Sequence, residues 1–390
     1  MKKYLHATVT VLLLFIAGGC KEEPVVEKVL DPVVALQKKY APDKRTAVFS
    51  VRTYEKGKDL IVSGDVDRKE AKEELFQVLR TQGKNLVDSV TVLPDERLGG
   101  RTYGIITVSV ANMRSEPGEN AELGSQVLMG SVVRVLKKKG GWVYIQSPDR
   151  YLGWADPDQM VRVTAAEAER WKNSPKVFVT EFTGSVLEKP EPTSYPVSDI
   201  TGGAVLTNLG VAGSYVKVGL ADGRSGFLPK SSVIDAAEWG TKLTPVPDRI
   251  ERTGKFLMGV PYLWGGTSPK GVDCSGFTKT VFLLNGQALN RDANQQAEQG
   301  EAVEPGKDFV NLKKGDLLFF GRKADGNKPE RIVHVGIYLG NREFIHSSGL
   351  VHRSSFDPAS PLYDEANLRR FVRARRVIAS APSVAEVKGQ

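Results

Sequence analysis

Two stretches of this chain repeat one another. WVYIQSPDRYLGWA, from Trp142 to Ala155, and YVKVGLADGRSGFL, from Tyr215 to Leu228, each run an alternating strand into a turn around Asp149 or Asp222. Both then reach a glycine–aromatic pair, Gly153-Trp154 or Gly226-Phe227. Period-two alternation with closely spaced turns marks short antiparallel strands, and such strands close most readily into small β-barrels. Two barrels are therefore expected, over 104–165 and 176–236. They fill only part of a 390-residue chain, whose length allows two to four domains.

The pattern differs on either side. Upstream, TAVFSVRTY and LIVSGDV alternate as strands, Lys69 to Gln82 has helical spacing, and VDSVTVL returns to a strand. This predicts a small α/β module over 46–100. Downstream of PVPDR, Ile250 to Met258 reads as a helix, then a Gly/Pro-rich turn leads into SGFTKTVFLL, an apolar helix. GDLLFF, RIVHVGIYLG and REFIHSS follow as strands. Helices before a run of strands predict an α+β domain with an antiparallel sheet, over 245–378, and then a tail, 379–390.

The first residues read as an address. MKKYLHATVTVLLLFIAGGC has a basic start, a short apolar core and small residues before Cys20, the features of a secretory signal over 1–19. The polar, Pro-containing KEEPVVEK that follows suits a tether, placed at 20–45. The ending AGGC resembles the lipobox of bacterial lipoproteins, with Ala17 where leucine is usual. That resemblance implies a lipid on Cys20 and an envelope location, anchored to a membrane on its periplasmic or outer face. The chain has two cysteines, so a lipidated Cys20 leaves Cys274 an unpaired thiol in an exported protein, where a leftover cysteine points to reactivity.

Cys274 sits where a turn enters a helix. A helix N-terminus favours a thiolate there and can bring a cysteine pKa from near 8.5 to about 3.5–7.5. A nucleophilic thiol also needs a base, and the base needs an orienting group. Of the four histidines, His6 leaves with the leader. His334, flanked by Val333 and Val335, projects from the opposite strand face to them, and His346 lies on the following strand. Adjacent antiparallel strands place His334 to take the thiol proton and His346 to hold its ring. The residues alone leave other readings open: a buried cysteine acting as a small hydrophobe, or a Cys/His₂ metal site, which no CxxC or HxxxH spacing supports.

YLWGG, DCSGF, KKGDLLFF, HVGIYLG and FIHSS, in this order over 245–378, resemble the NlpC/P60 family of papain-like cysteine peptidases. The repeats resemble bacterial SH3 domains, the first through VSVANMRSEPG, LMGSVVRVL and its final GW. The layout is similar to that of YkfC-type γ-D-glutamyl-L-diamino-acid endopeptidases, enzymes of wall-peptide recycling. The fold implied is α+β: a papain-like domain preceded by two SH3-like barrels and the α/β module. The resemblance implies Cys274 as nucleophile, His334 as base and His346 as the third polar residue. Around them it places Tyr262 near the thiol, Asp273 and Ser275 beside it, and Arg291 and Asp292 in NRDANQQ lining the site, with Ala293 in place of a serine. From the first barrel it implies Glu122 and Tyr151, Glu122 pairing with Asp273 to hold a substrate's protonated amine.

The function so implied is hydrolysis of the γ-D-Glu to diamino-acid bond in wall peptides whose N-terminal L-Ala is free. It needs no metal and no organic cofactor. Intact wall has no such amine, so the pocket selects released peptides. The rival readings are a hydrolase of intact peptidoglycan and a non-catalytic wall-binding lipoprotein. The net charge of +8, +6 without Lys2 and Lys3, is spread along the chain. It suits an anionic envelope more than nucleic acid, and no nucleic-acid partner is expected. The expected state is a monomer, with its membrane contact through the anchor.

Overall fold

The computed structural model describes residues 24–378; Cys20 with its leader, and the tail from 379, lie outside them. The chain divides into two compact units. The smaller takes in the described residues up to Tyr40 together with Phe49–Val92, and the larger takes in Ala41–Val48 and everything from Leu93.

In the smaller unit the helix Lys69–Leu79 connects strands Asp59–Val66 and Asn85–Val92, which pair in parallel, while Phe49–Lys56 pairs antiparallel with Asp59–Val66. Helix Asp31–Tyr40 belongs here too, with Val33 and Leu36 buried and Lys39 bound to Glu74 at 2.6 Å. The tether expected over 20–45 is thus partly a helix of this module. The module's expected bounds of 46–100 also shift. Val48 and Leu93 pack with Leu136 and Leu152, and Leu98 enters the core of the first barrel, so both flanks fold with the larger unit.

That larger unit holds two seven-stranded antiparallel sheets and one of six strands. The repeats are equivalent hairpins: Trp142–Gln146 pairs with Leu152–Ala155, and Tyr215–Gly219 with Ser225–Pro229. Alternate residues of these strands fill one core apiece, Val143, Ile145 and Ala155 in the first barrel, Val216, Val218 and Leu228 in the second. The second barrel braces its neighbours. Val205 N–H donates to the Met129 carbonyl of the first barrel at 3.0 Å, and Trp239 Nε1 donates to the Leu283 carbonyl at 2.8 Å.

The C-terminal sheet runs Glu301–Val303, Phe371–Arg376, Leu317–Arg322, Arg331–Gly340, Glu343–Ser348, Leu350–Ser355. Strand alternation gives it two apolar faces. Leu317 and Phe319 pack with Phe277, Val281 and Phe282 of the helix Cys274–Leu283, whereas Leu318 and Phe320 join Tyr338, Phe344 and Phe356 on the other face. Covering both faces explains why GDLLFF is a continuous apolar run. The helix lies against strands Arg331–Gly340 and Glu343–Ser348, and so its first residue meets the strand that carries His334.

Candidate active site

The site is built around the start of that helix. Asp273 is its N-cap, accepting from Gly276 N–H at 2.7 Å, and Cys274 is the first helical residue. A Cβ on Gly276 would stand 1.8 Å from the Gly266 carbonyl oxygen. The glycine of DCSGF therefore lets the first turn press against the Gly265-Gly266 turn. The N–H groups of Val335 and Ser275 point at the Cys274 sulfur, so the strand residue after His334 is in direct contact with the thiol.

His334 and His346 are joined side by side, Nε2 of the first 2.7 Å from Nδ1 of the second. Gly336 makes room for this: a Cβ there would come within 3.2 Å of the His346 Cβ and 3.1 Å of the Phe344 ring. Phe320 and Phe344 flank the pair, with ring centroids 5.6 Å from His334 and 5.0 Å from His346.

Burial dominates the electrostatics and reverses one expectation. The helix start was expected to lower the thiol pKa; instead burial, and then the neighbouring Asp273 charge, push it up to about 11 against the Val335 and Ser275 amides. Burial, and then Arg370, bring His334 down to about 4. His346 falls to about 3 through burial and the other two histidines. At neutral pH the unliganded site holds a neutral thiol and neutral imidazoles. Burial, then the charges that Cys274 and Asp273 can carry, also hold the Tyr262 phenol well above its ordinary range.

A depression of about 290 Å³ opens at Cys274 and gathers the residues singled out above: Tyr262, Asp273, Ser275, Arg291 and Asp292, with Glu122 and Tyr151 from the first barrel. A second, of about 510 Å³, holds His334, His346, His352, Asp364 and Arg370, and the two share Tyr262 and Val333.

Their chemistry is unequal. Asp273 Oδ2 accepts from Arg291 Nη2 at 2.5 Å and from Gly265 N–H at 3.0 Å; Oδ1 takes Arg291 Nη1, Ser275 Oγ and Gly276. The side chains of Arg291 and Asp273 are 2% and 8% exposed. This buried ion pair braces the helix start, and Asp273 also lines the depression together with Glu122. Ser275 is part of the same buried network, 3.0 Å from Arg291 Nη1. Asp292 shares the pocket as well, and its Oδ2 accepts from Arg45 Nη1 at 2.6 Å and from Tyr151 OH at 3.2 Å. Glu122 accepts from Trp264 Nε1 at 2.6 Å, and among the described residues no cation pairs with it.

Sequence reasoning passed over several residues here. Arg45 donates from Nη1 to Asp292 at 2.6 Å and to Asn294 at 2.9 Å, and is itself held by Asp43. Arg45 in turn holds the Asp43 carboxyl down at about 2. Trp264 lay inside the quoted YLWGG, and His352 faces His346 across a hairpin, a pairing that the strand pattern alone could have signalled. Among the described residues no group of three or more His, Cys, Asp or Glu is arranged to hold a metal ion.

Residues 259–376 match the model of the NlpC/P60 family, and residues 113–160 that of the bacterial dipeptidyl-peptidase Sh3 domain. The chain is 32% identical to a gamma-D-glutamyl-L-lysine dipeptidyl-peptidase of Bacillus cereus, over 58% of this chain and 67% of that protein. Its counterpart in Bacillus subtilis is also 32% identical, over 57% and 71%. Dipeptidyl-peptidase 6 of Lysinibacillus sphaericus is 28% identical over 66% and 93%. The crystal structure of an NlpC/P60 family protein from Bacillus cereus superposes with a TM-score of 0.61 at 27% identity, covering 71% of this chain and all of that one. With its SH3-like modules and α+β C-terminal domain, this chain belongs to the NlpC/P60 family.

Proposed function

We propose that this chain is a cysteine peptidase that hydrolyses the γ-D-Glu to diamino-acid bond of wall peptides with a free N-terminal L-Ala. The observation that carries the reading is the depression at Cys274: it is lined by Asp292, Tyr151 and Glu122, which has no cation paired with it among the described residues, and by a thiol whose neighbouring strands hold a histidine pair. A protonated amine fits that lining, because charge-assisted hydrogen bonds to a carboxylate are about twice as strong as neutral ones. The names of the relatives, γ-D-glutamyl-L-lysine dipeptidyl-peptidases, agree with removal of a dipeptide from such an end.

In this reading the substrate's amine anchors at Glu122 and Asp292, which sets the γ-carbonyl of D-Glu over Cys274. His334 takes the thiol proton as sulfur attacks, so no ion pair need exist beforehand. The oxyanion turns toward the backbone N–H groups at the helix start. Protonated His334 then gives its proton to the departing diamino-acid nitrogen, which leaves by the second depression. Water, deprotonated by the same ring, cleaves the thioester.

The leader gives the proposal a place. Lipidated Cys20 would tether the enzyme to a membrane of the envelope, and incorporation of labelled palmitate that Cys20→Ala abolishes is the result expected. For the chemistry, purified protein should release L-Ala-D-Glu from L-Ala-γ-D-Glu-L-Lys, and Cys274→Ala should release none while keeping its circular dichroism. Turnover by Cys274→Ala near the wild-type rate would refute the thiol mechanism. Binding of sacculi without any hydrolysis by wild type would favour a wall-binding role.

A further inference from the structure

His346 and His352 are directly opposed in the hairpin of Glu343–Ser348 and Leu350–Ser355. Their ring centroids are 4.5 Å apart, and His346 Nε2 lies 3.1 Å from both His352 Nε2 and Ser354 Oγ. With the His334 contact at 2.7 Å, three imidazoles stand in series.

Two partners on the outer side of His346 fix the protons of the series, because each is tied to a group that only accepts. His352 Nδ1 is 3.0 Å from the Leu350 carbonyl oxygen. A hydrogen must therefore be on Nδ1, and when it is the ring's only one the lone pair stands at Nε2. The Ser354 hydroxyl donates to the Asp364 carboxylate, leaving its oxygen to accept from His346. Both partners demand that His346 Nε2 be the donor. Its Nδ1 is then an acceptor, His334 Nε2 must donate to it, and the lone pair of His334 is left on Nδ1.

We propose that His352, together with the Ser354–Asp364 pair, is a positioning element that holds His334 in its Nε2–H tautomer through His346, keeping Nδ1 as the base. The inference rests on Cys274 and His334 being the reacting pair. It adds a role for residues that do not touch the thiol. Burial agrees with it, since the inner two rings stay neutral and their tautomers are then set by hydrogen bonds alone.

Two measurements test this. The first is ¹⁵N NMR of histidine-labelled Cys274→Ala protein, which reads the tautomer without activity. His334 should show protonated Nε2 and bare Nδ1, and adding His352→Phe with Ser354→Ala should turn it into a mixture. The second is kinetic. With Cys274 intact, His352→Phe should lower kcat about tenfold, Ser354 still serving as acceptor. His352→Phe/Ser354→Ala should lower it about 100-fold, within the usual range for a general base, with KM unchanged. His352→Gln should recover most of the loss, because its amide N–H can reach Leu350 and its carbonyl can accept from His346. A His334 tautomer that is Nδ1–H, or that ignores the double substitution, overturns the proposal. So does equal damage from His352→Gln and His352→Phe. An inactive wild type with the expected NMR pattern would instead remove the peptidase reading and leave the tautomer assignment standing.

Discussion

Asp273→Asn separates bracing from substrate binding at the pocket. In the structure both Asp273 oxygens are occupied, and the Arg291 guanidinium they hold is almost wholly buried. Asparagine can still cap the helix through its side-chain oxygen, so little capping energy is lost. What it removes is the charge that compensates Arg291, and breaking a buried pair from one side costs about 3–5 kcal/mol. Domains commonly have only about 5–15 kcal/mol in hand. At a urea dependence of about 2 kcal/mol per molar, the unfolding midpoint should fall by about 2 M. Urea titration followed by tryptophan fluorescence reads this directly, since Trp154 and Trp264 lie in the larger unit. The surviving folded enzyme should keep the wild-type preference for a free amine over an N-acetylated one. Asp273→Asn that unfolds within about 1 kcal/mol of wild type, yet no longer distinguishes the two peptides, would refute the bracing argument and return Asp273 to the amine.

Other consequences follow from the same geometry. Glu122→Gln should raise KM for the free-amine peptide by about 10–100-fold, the worth of a hydrogen bond to a charged group, in steady-state assays, and leave any N-acetylated turnover unmoved. Lys279 on the Cys274 helix pairs with Asp149 of the first barrel at 2.9 Å, with side chains 17% and 18% exposed. Lys279→Met should cost about 3 kcal/mol in urea unfolding, and Lys279→Met/Asp149→Asn distinctly less. Acid should also weaken the fold through the histidines. His334 and His346 titrate near 4 and 3 when folded against the usual 6.5, so below about 6.5 the unfolded chain binds protons that the folded chain refuses. Stability should therefore fall as pH drops from about 6.5 toward 4, and the fall should be shallower in His346→Gln when melting temperatures are compared across that range.

Much of the larger unit can be read in advance because its signals are local. The two hairpins announce themselves by alternation and a glycine–aromatic ending, and the three C-terminal strands by apolar runs that the two-faced sheet requires. The Cys274 helix start follows from a glycine-rich turn before DCSGF. Tertiary facts were not legible. Arg45 meets Asp292 from 247 positions away, and nothing in PDKRTAVF marks it. Nothing in DCSGF shows that Arg291, folded back from beyond the helix, fills the oxygens of Asp273. The thiol's position predicts a lowered pKa, but the extent of its burial, which only packing decides, raises it. Segment 41–48 looks like part of a linker and module edge because its tie to the barrels rests on Val48 against Leu136 and Leu152 and on the Arg45 carbonyl accepting from Leu152 N–H at 2.8 Å.

The central claim is that the pocket at Cys274 selects a peptide by its free amine. The most direct test is mass-spectrometric comparison of L-Ala-γ-D-Glu-meso-diaminopimelate with its N-acetylated twin, each incubated with purified protein. The prediction is L-Ala-D-Glu from the free-amine peptide and negligible cleavage of the twin, because acetylation removes the charge proposed to meet Glu122 and Asp292. Equal cleavage of both would contradict it, leaving a thiol peptidase whose target is wall peptide still joined at its N-terminus.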